Sequence, residues 1–200
     1  HCPCGSMKLR LLQRRFPILG CIVLILLMID VLLKSPENRQ EIMWACYWAS
    51  TSVATGMLFG SDRLVSGGVI FLAGLGIPAW LLSTLVVGQM EIISVLFHIV
   101  PFVAGSCYVL TMASLPRYAA TLAWLLYAVP FALSWQFCEP GTMINLSHWT
   151  RWPIPGLLPY KWQFYIVLLI ASLTMVTLIA STIRSILTSK SVSKPFGPQL

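Results

Sequence analysis

Charge is scarce in this 200-residue chain, which holds 6 acidic and 13 basic residues and is 10% charged. A soluble domain carries about 25%, so this composition, with mean hydropathy +0.82, does not build a water-facing surface. Barrel strands would need apolar-polar alternation over about 10 residues, and none is present. Metal-ligand spacings, a glycine-rich phosphate loop and a Gly-x-Ser-x-Gly elbow are all missing. No metal or cofactor is therefore expected. No basic run interleaved with aromatics lies on a polar segment. The formal charge of +7 thus reads as topology and contact with anionic lipid, not nucleic acid.

What the chain does have is long apolar runs. A membrane span needs roughly 20 such residues, and candidates lie at 16–33, 42–59, 64–87, 92–113, 117–137 and 163–187. Polar punctuators separate them: Lys34-Ser-Pro36, Gly60-Ser-Asp62 and Ser114-Leu-Pro-Arg117. Lipid admits only helices or closed barrels, so the expected fold is an all-α membrane bundle of about six transmembrane helices. The expected organisation is a cytoplasmic segment 1–15, a transmembrane domain 16–187 with an outer loop 138–162, and a disordered cytoplasmic tail 188–200. The polar stretch from Ser185 begins that tail. Residues before Met7 read as an upstream extension. No small-x-small cleavage site closes the first apolar run, so a retained anchor is expected.

An inside N-terminus places Lys8, Arg10, Arg14, Arg15, Arg63, Arg117, Arg184, Lys190 and Lys194 in the cytoplasm. It leaves Lys34, Arg39, Arg151 and Lys161 outside. Nine against four favours both termini inside. On that topology Trp44, Trp48, Trp80, Trp135, Trp149, Trp152 and Trp162 fall near the outer boundary, and only Trp124 near the inner one. Either the outer surface is specialised, or an aromatic-rich loop happens to lie there.

Three reactive side chains sit just inside the outer ends of different helices. Cys46 lies about four residues in, roughly 6 Å, and His98 about six, roughly 9 Å. Asp30 lies about three residues from a helix C-terminus, where negative charge is disfavoured and a cationic or hydrogen-bonding partner would help. Periodicity puts Trp44 and Trp48 on one face of their helix and Cys46 with Ala49, Ser50 and Val53 on another, a small-residue face suited to close packing. Ser94, His98, Phe102 and Gly105 form a comparable stripe, and Pro101 frees a backbone carbonyl near His98. A cysteine beside a histidine can act as a nucleophile–base pair, with Asp30 or Ser94 orienting the ring. The plainer alternative is a small packing cysteine and a hydrogen-bonded structural histidine.

Cys21 and Cys107 read as membrane-embedded. Cys46 and Cys138 lie toward the outer side, where an oxidising compartment would permit a bridge. The outer loop, about 25 residues and longer than most connections, offers Asn145, His148 and Arg151 to a headgroup if it folds back as a lid. As an aromatic anchor at the surface it would do none of this.

Met43-Trp-Ala-Cys46, Leu58-Phe-Gly60, His98, Leu115-Pro-Arg117, Asn145-Leu146 and Tyr160…Phe164-Tyr165 resemble an uncharacterised family of bacterial six-helix integral membrane proteins. The likeness implies a bacterial cytoplasmic (inner) membrane protein. The order of cysteine, histidine and asparagine-containing loop is more distantly similar to YwaF-type proteins and a related transmembrane Cys/His phospholipid acyltransferase. That resemblance implies Cys46 as acyl-accepting nucleophile and His98 as its base, with membrane lipids as partners. Where those proteins show His-Leu-Cys, this chain has Trp44-Ala-Cys46. The competing reading is a non-enzymatic scaffold or small transporter that binds a lipid or protein in an outer vestibule. Assembly as a homo- or hetero-oligomer stays open.

Overall fold

A computed structural model describes residues 4–34, 43–87, 92–138 and 161–192. Every regular element among them is helical: α1 (Cys4–Leu33), α2 (Ala45–Phe59), α3 (Asp62–Phe71), a π turn (Leu72–Gly76), α4 (Ile77–Val87), α5 (Ile92–Val109), α6 (Ala119–Phe137) and α7 (Lys161–Val192). The π turn joins α3 to α4 without a break, so the described residues form six rods. Five segments are long and apolar enough to cross a membrane: Phe16–Leu33, Asp62–Leu82, Ile92–Val109, Ala119–Phe137 and Tyr165–Ser189. Lipid-facing side chains are plentiful, with Leu32, Phe59, Leu85 and Ile92 all largely exposed. A multi-pass membrane protein accounts for both observations.

The second rod departs from the expected span. α2 has 15 residues, roughly 22 Å of helix, which falls short of the roughly 30 Å hydrocarbon core. Its position explains why that is tolerated. Ala45, Ala49, Val53, Ala54 and Met57 are buried, and neighbouring helices rather than lipid surround them. Small residues allow the approach. A Cβ added to Gly68 would lie 2.5 Å from Val53 and 2.7 Å from the Ala49 carbonyl, and one added to Gly20 would lie 2.6 Å from the Ala54 carbonyl. The face predicted from Cys46, Ala49, Ser50 and Val53 is thus the packed one, while Trp48 is exposed.

Contacts along the rods fix their directions. Phe16, where the apolar segment of α1 begins, meets Tyr108 at the end of α5, with ring centroids 4.8 Å apart. Lys34 after α1 sits 5.7 Å from the ring of Tyr47 at the start of α2. α1 therefore runs antiparallel to α2 and α5. The α2–α3 turn is tight: Gly60 adopts φ 67°, and the Ser61 N–H donates to the Gly56 carbonyl at 2.8 Å. The bundle has two ends. We call the one holding Phe16, Gly60 and Tyr108 proximal, and the one holding Lys34, Tyr47 and His98 distal.

Three boundaries differ from the sequence reading. α1 begins at Cys4, so the helix runs through most of the segment expected to precede it. α5 stops at Val109 rather than near 113, where the Thr111 and Met112 N–H groups bond three residues back in tightened turns. α7 continues to Val192, past the expected onset of the disordered tail at Ser185 and 188. Buried Leu187 anchors these last turns, and Thr188 and Ser189 return their hydroxyls to the Arg184 and Ile186 carbonyls. Residues 193–200 lie outside the described set.

Candidate functional site at the distal end

Helix packing brings Asp30, Cys46 and His98 to one end of the bundle, each from a different rod. A chain of contacts links their surroundings. The Lys34 ammonium lies 3.6 Å from the Asp30 carboxylate one turn earlier, which supplies the cationic partner that the helix C-terminus requires. Lys34 also covers the Tyr47 ring. Tyr47 packs on Phe97 at 4.3 Å, and Phe97 meets the His98 ring edge-on at 4.6 Å. Beyond it Trp80 of α4 stacks on the imidazole, 4.9 Å between centroids and 17° from parallel.

Ser94 ties this cluster together twice. Its hydroxyl accepts from the Trp80 indole N–H at 2.9 Å. Its carbonyl lies 2.8 Å from His98 Nδ1. A carbonyl only accepts, so Nδ1 carries the proton and Nε2 is left with its lone pair. The sequence suggested Ser94 as a ring-orienting residue; the atom that meets the ring is the main-chain oxygen.

Pro101 has the expected effect. Lacking an N–H, it leaves the Phe97 carbonyl without its helical donor. The Ser50 hydroxyl of α2 donates to that oxygen at 3.4 Å. α2 and α5 are pinned together at this point, one turn from Cys46 and one residue from His98.

Cys46 is buried. Its sulfur faces Gly76 at the end of the π turn, where an added Cβ would sit 3.5 Å from Sγ. Local sequence contributes to the turn. Pro78 cannot donate to the Gly74 carbonyl, and the Ile77 N–H reaches back five residues to Leu72. Cys46 and His98 thus abut the same rod at Gly76 and Trp80, four residues or roughly 6 Å apart along its axis. The hydrogen bond that the His98 ring makes is to Ser94. Cys46 and Cys138 are free thiols, with no bridge between them.

Asn145, His148, Arg151 and the rest of the segment 139–160 lie outside the described residues. No group of three or more metal-ligating side chains occurs among the described ones. Sequence reasoning counted Trp80 only as part of an interfacial belt; nothing in its spacing marks it as the partner of His98.

A second feature lies at the proximal end. There a cavity of about 360 Å³ is lined by Phe16, Met57, Asp62, Tyr108, Thr111 and Met112, among others. It is separate from the Cys46 and His98 cluster. Comparison with family models, curated proteins and solved structures finds no match to the chain.

Proposed function

We propose that this protein is a bilayer enzyme, of a bacterial inner membrane, that transfers acyl groups between lipids through Cys46 and His98. One observation carries the reading: His98 is held by Ser94 as the tautomer whose Nε2 accepts a proton, at the same end of the bundle as the Cys46 thiol. The order of Cys46, His98 and an asparagine-containing loop, distantly similar to that of Cys/His acyltransferases, points the same way, although Trp44-Ala-Cys46 stands where those proteins have His-Leu-Cys.

In the reaction Nε2 takes the Cys46 proton, directly or through a water, and the thiolate attacks the ester carbonyl of a phospholipid. The carbon–oxygen ester bond breaks, and the departing lysolipid alkoxide takes the proton from the imidazolium. An acceptor hydroxyl then attacks the thioester, gives its proton to Nε2 and restores the thiol. Acyl chains reach Cys46 sideways from the bilayer, and the outer loop with Asn145 and Arg151 holds the headgroup.

A second reading draws on the packing. Aromatic rings flank His98, Gly76 backs Cys46, and Ser50 joins the two helices, which suits a scaffold whose polar groups fasten rods together. Purified protein incubated with acyl-labelled phospholipid separates the two. A hydroxylamine-labile label on the peptide bearing Cys46, lost in Cys46→Ala and His98→Ala, is the expected result. Equal label in all three proteins, or label confined to the exposed Cys21 and Cys107, leaves the scaffold.

A further inference from the structure

The proximal cavity is chemically one-sided. Its lining combines apolar Phe16, Met57 and Met112 with polar Asp62, Tyr108 and Thr111. Among the described lining residues Asp62 carries the formal charge, and it is negative. The Tyr108 hydroxyl donates to one carboxylate oxygen at 2.9 Å, and Thr111 spends its own hydroxyl proton on the Tyr108 carbonyl at 2.7 Å. No lysine or arginine is among the described residues that line the cavity. Arg63 is adjacent in sequence and exposed, yet no ion pair joins it to Asp62 among the described residues. A negative side chain in the first turn of α3 also matches the helix dipole.

The rings add a second attraction. Phe16 and Tyr108 meet edge to face at 66°, and both line the cavity. Aromatic rings attract cations, modestly at exposed sites, and Asp62 beside them is exposed. Together, the carboxylate, the rings and the methionines suit a positively charged nitrogen that carries carbon. Phosphate and carboxylate would be repelled by Asp62. The volume lies within the range of small-ligand sites, about 300–1,000 Å³.

We propose that the proximal cavity binds an organic ammonium group, held between the Asp62 carboxylate and the rings of Phe16 and Tyr108. A free amine and an aminated lipid headgroup share this chemistry, and the site is independent of the acyl-transfer reading.

The test uses the full chain in detergent and measures thermal unfolding during titration with choline chloride, with its neutral isostere 3,3-dimethylbutan-1-ol, and with inorganic phosphate. Choline is expected to give a saturable rise in Tm, and the other two none. Asp62→Asn should weaken choline binding by about tenfold or more, and Tyr108→Phe by less. Nanodiscs separate the sources: if a headgroup is the ligand, phosphatidylcholine discs give a higher Tm than phosphatidylglycerol discs, and the difference disappears in Asp62→Asn. If a free amine is the ligand, choline acts equally in both discs. An equal response to choline and its isostere in the unaltered protein overturns the proposal even if Asp62→Asn does not fold. So does unchanged choline binding in a folded Asp62→Asn protein.

Discussion

The two ends of the bundle are built in opposite ways. At the distal end reactive side chains are present and closely flanked: Trp80 and Phe97 flank His98, and the π turn backs Cys46. At the proximal end the space is open and the chemistry is sparse, with one carboxylate hydrogen-bonded to one phenol. Substitutions at each end can break or sharpen this contrast.

The largest effect is expected where packing is tightest. In Gly68→Ala the new Cβ meets the Ala49 carbonyl at 2.7 Å, and a backbone atom cannot swing aside. A loss of about 3 kcal/mol is expected, at the upper end of overpacking costs, read as a drop in Tm in detergent. Gly60→Ala makes the comparison at the proximal end. No atom lies within 4 Å of the added carbon, but φ is 67°, so only the left-handed backbone conformation resists, at about 1–2 kcal/mol. Equal losses at the two glycines would mean that conformation rather than contact sets both.

Next comes the distal pin. Ser50→Ala leaves the Phe97 carbonyl without its donor, and a cost of about 1 kcal/mol is expected. Pro101→Ala restores a helical N–H to the same oxygen. The double variant should therefore lose less than the sum of the singles in a double-mutant cycle. Additive losses would show that the hydroxyl and the proline act separately. The smallest effect belongs to Lys34→Met, which removes the partner of Asp30. An ion pair of this kind is worth about 1 kcal/mol or less. Its loss should shift Tm slightly and leave choline binding at the other end unchanged.

Much of the fold is legible in the sequence. Hydropathy alone locates the rods, since apolar runs of this length have few other uses, and helical spacing puts Ala49, Ser50 and Val53 on the buried face of α2. Pro101 advertises a vacant carbonyl, but the chain gives no sign that Ser50 fills it from 47 residues away. The π turn is hidden for a related reason. It depends on Pro78 together with Gly74 packing against Met175 and Ile179 of α7, a tertiary contact with no local signature. Asp62 reads as loop punctuation because its partner Tyr108 is 46 residues distant. Asp30 was legible as strained, and its relief by Lys34 one turn away is the kind of local pairing that sequence can display.

The π turn has a rotational meaning. It takes up one more residue than an α-helical turn does, so everything after Gly76 is offset by roughly the 100° that one residue contributes. Were Leu72–Gly76 to relax into α-helix, Trp80 would rotate out of register with His98, and the same movement would lift Gly76 from Cys46 Sγ. The register of the turn thus sets the contacts of Trp80 with His98 and of Gly76 with Cys46 together. A shift of one hydrogen-bond partner, from five residues back to four, would disengage them together.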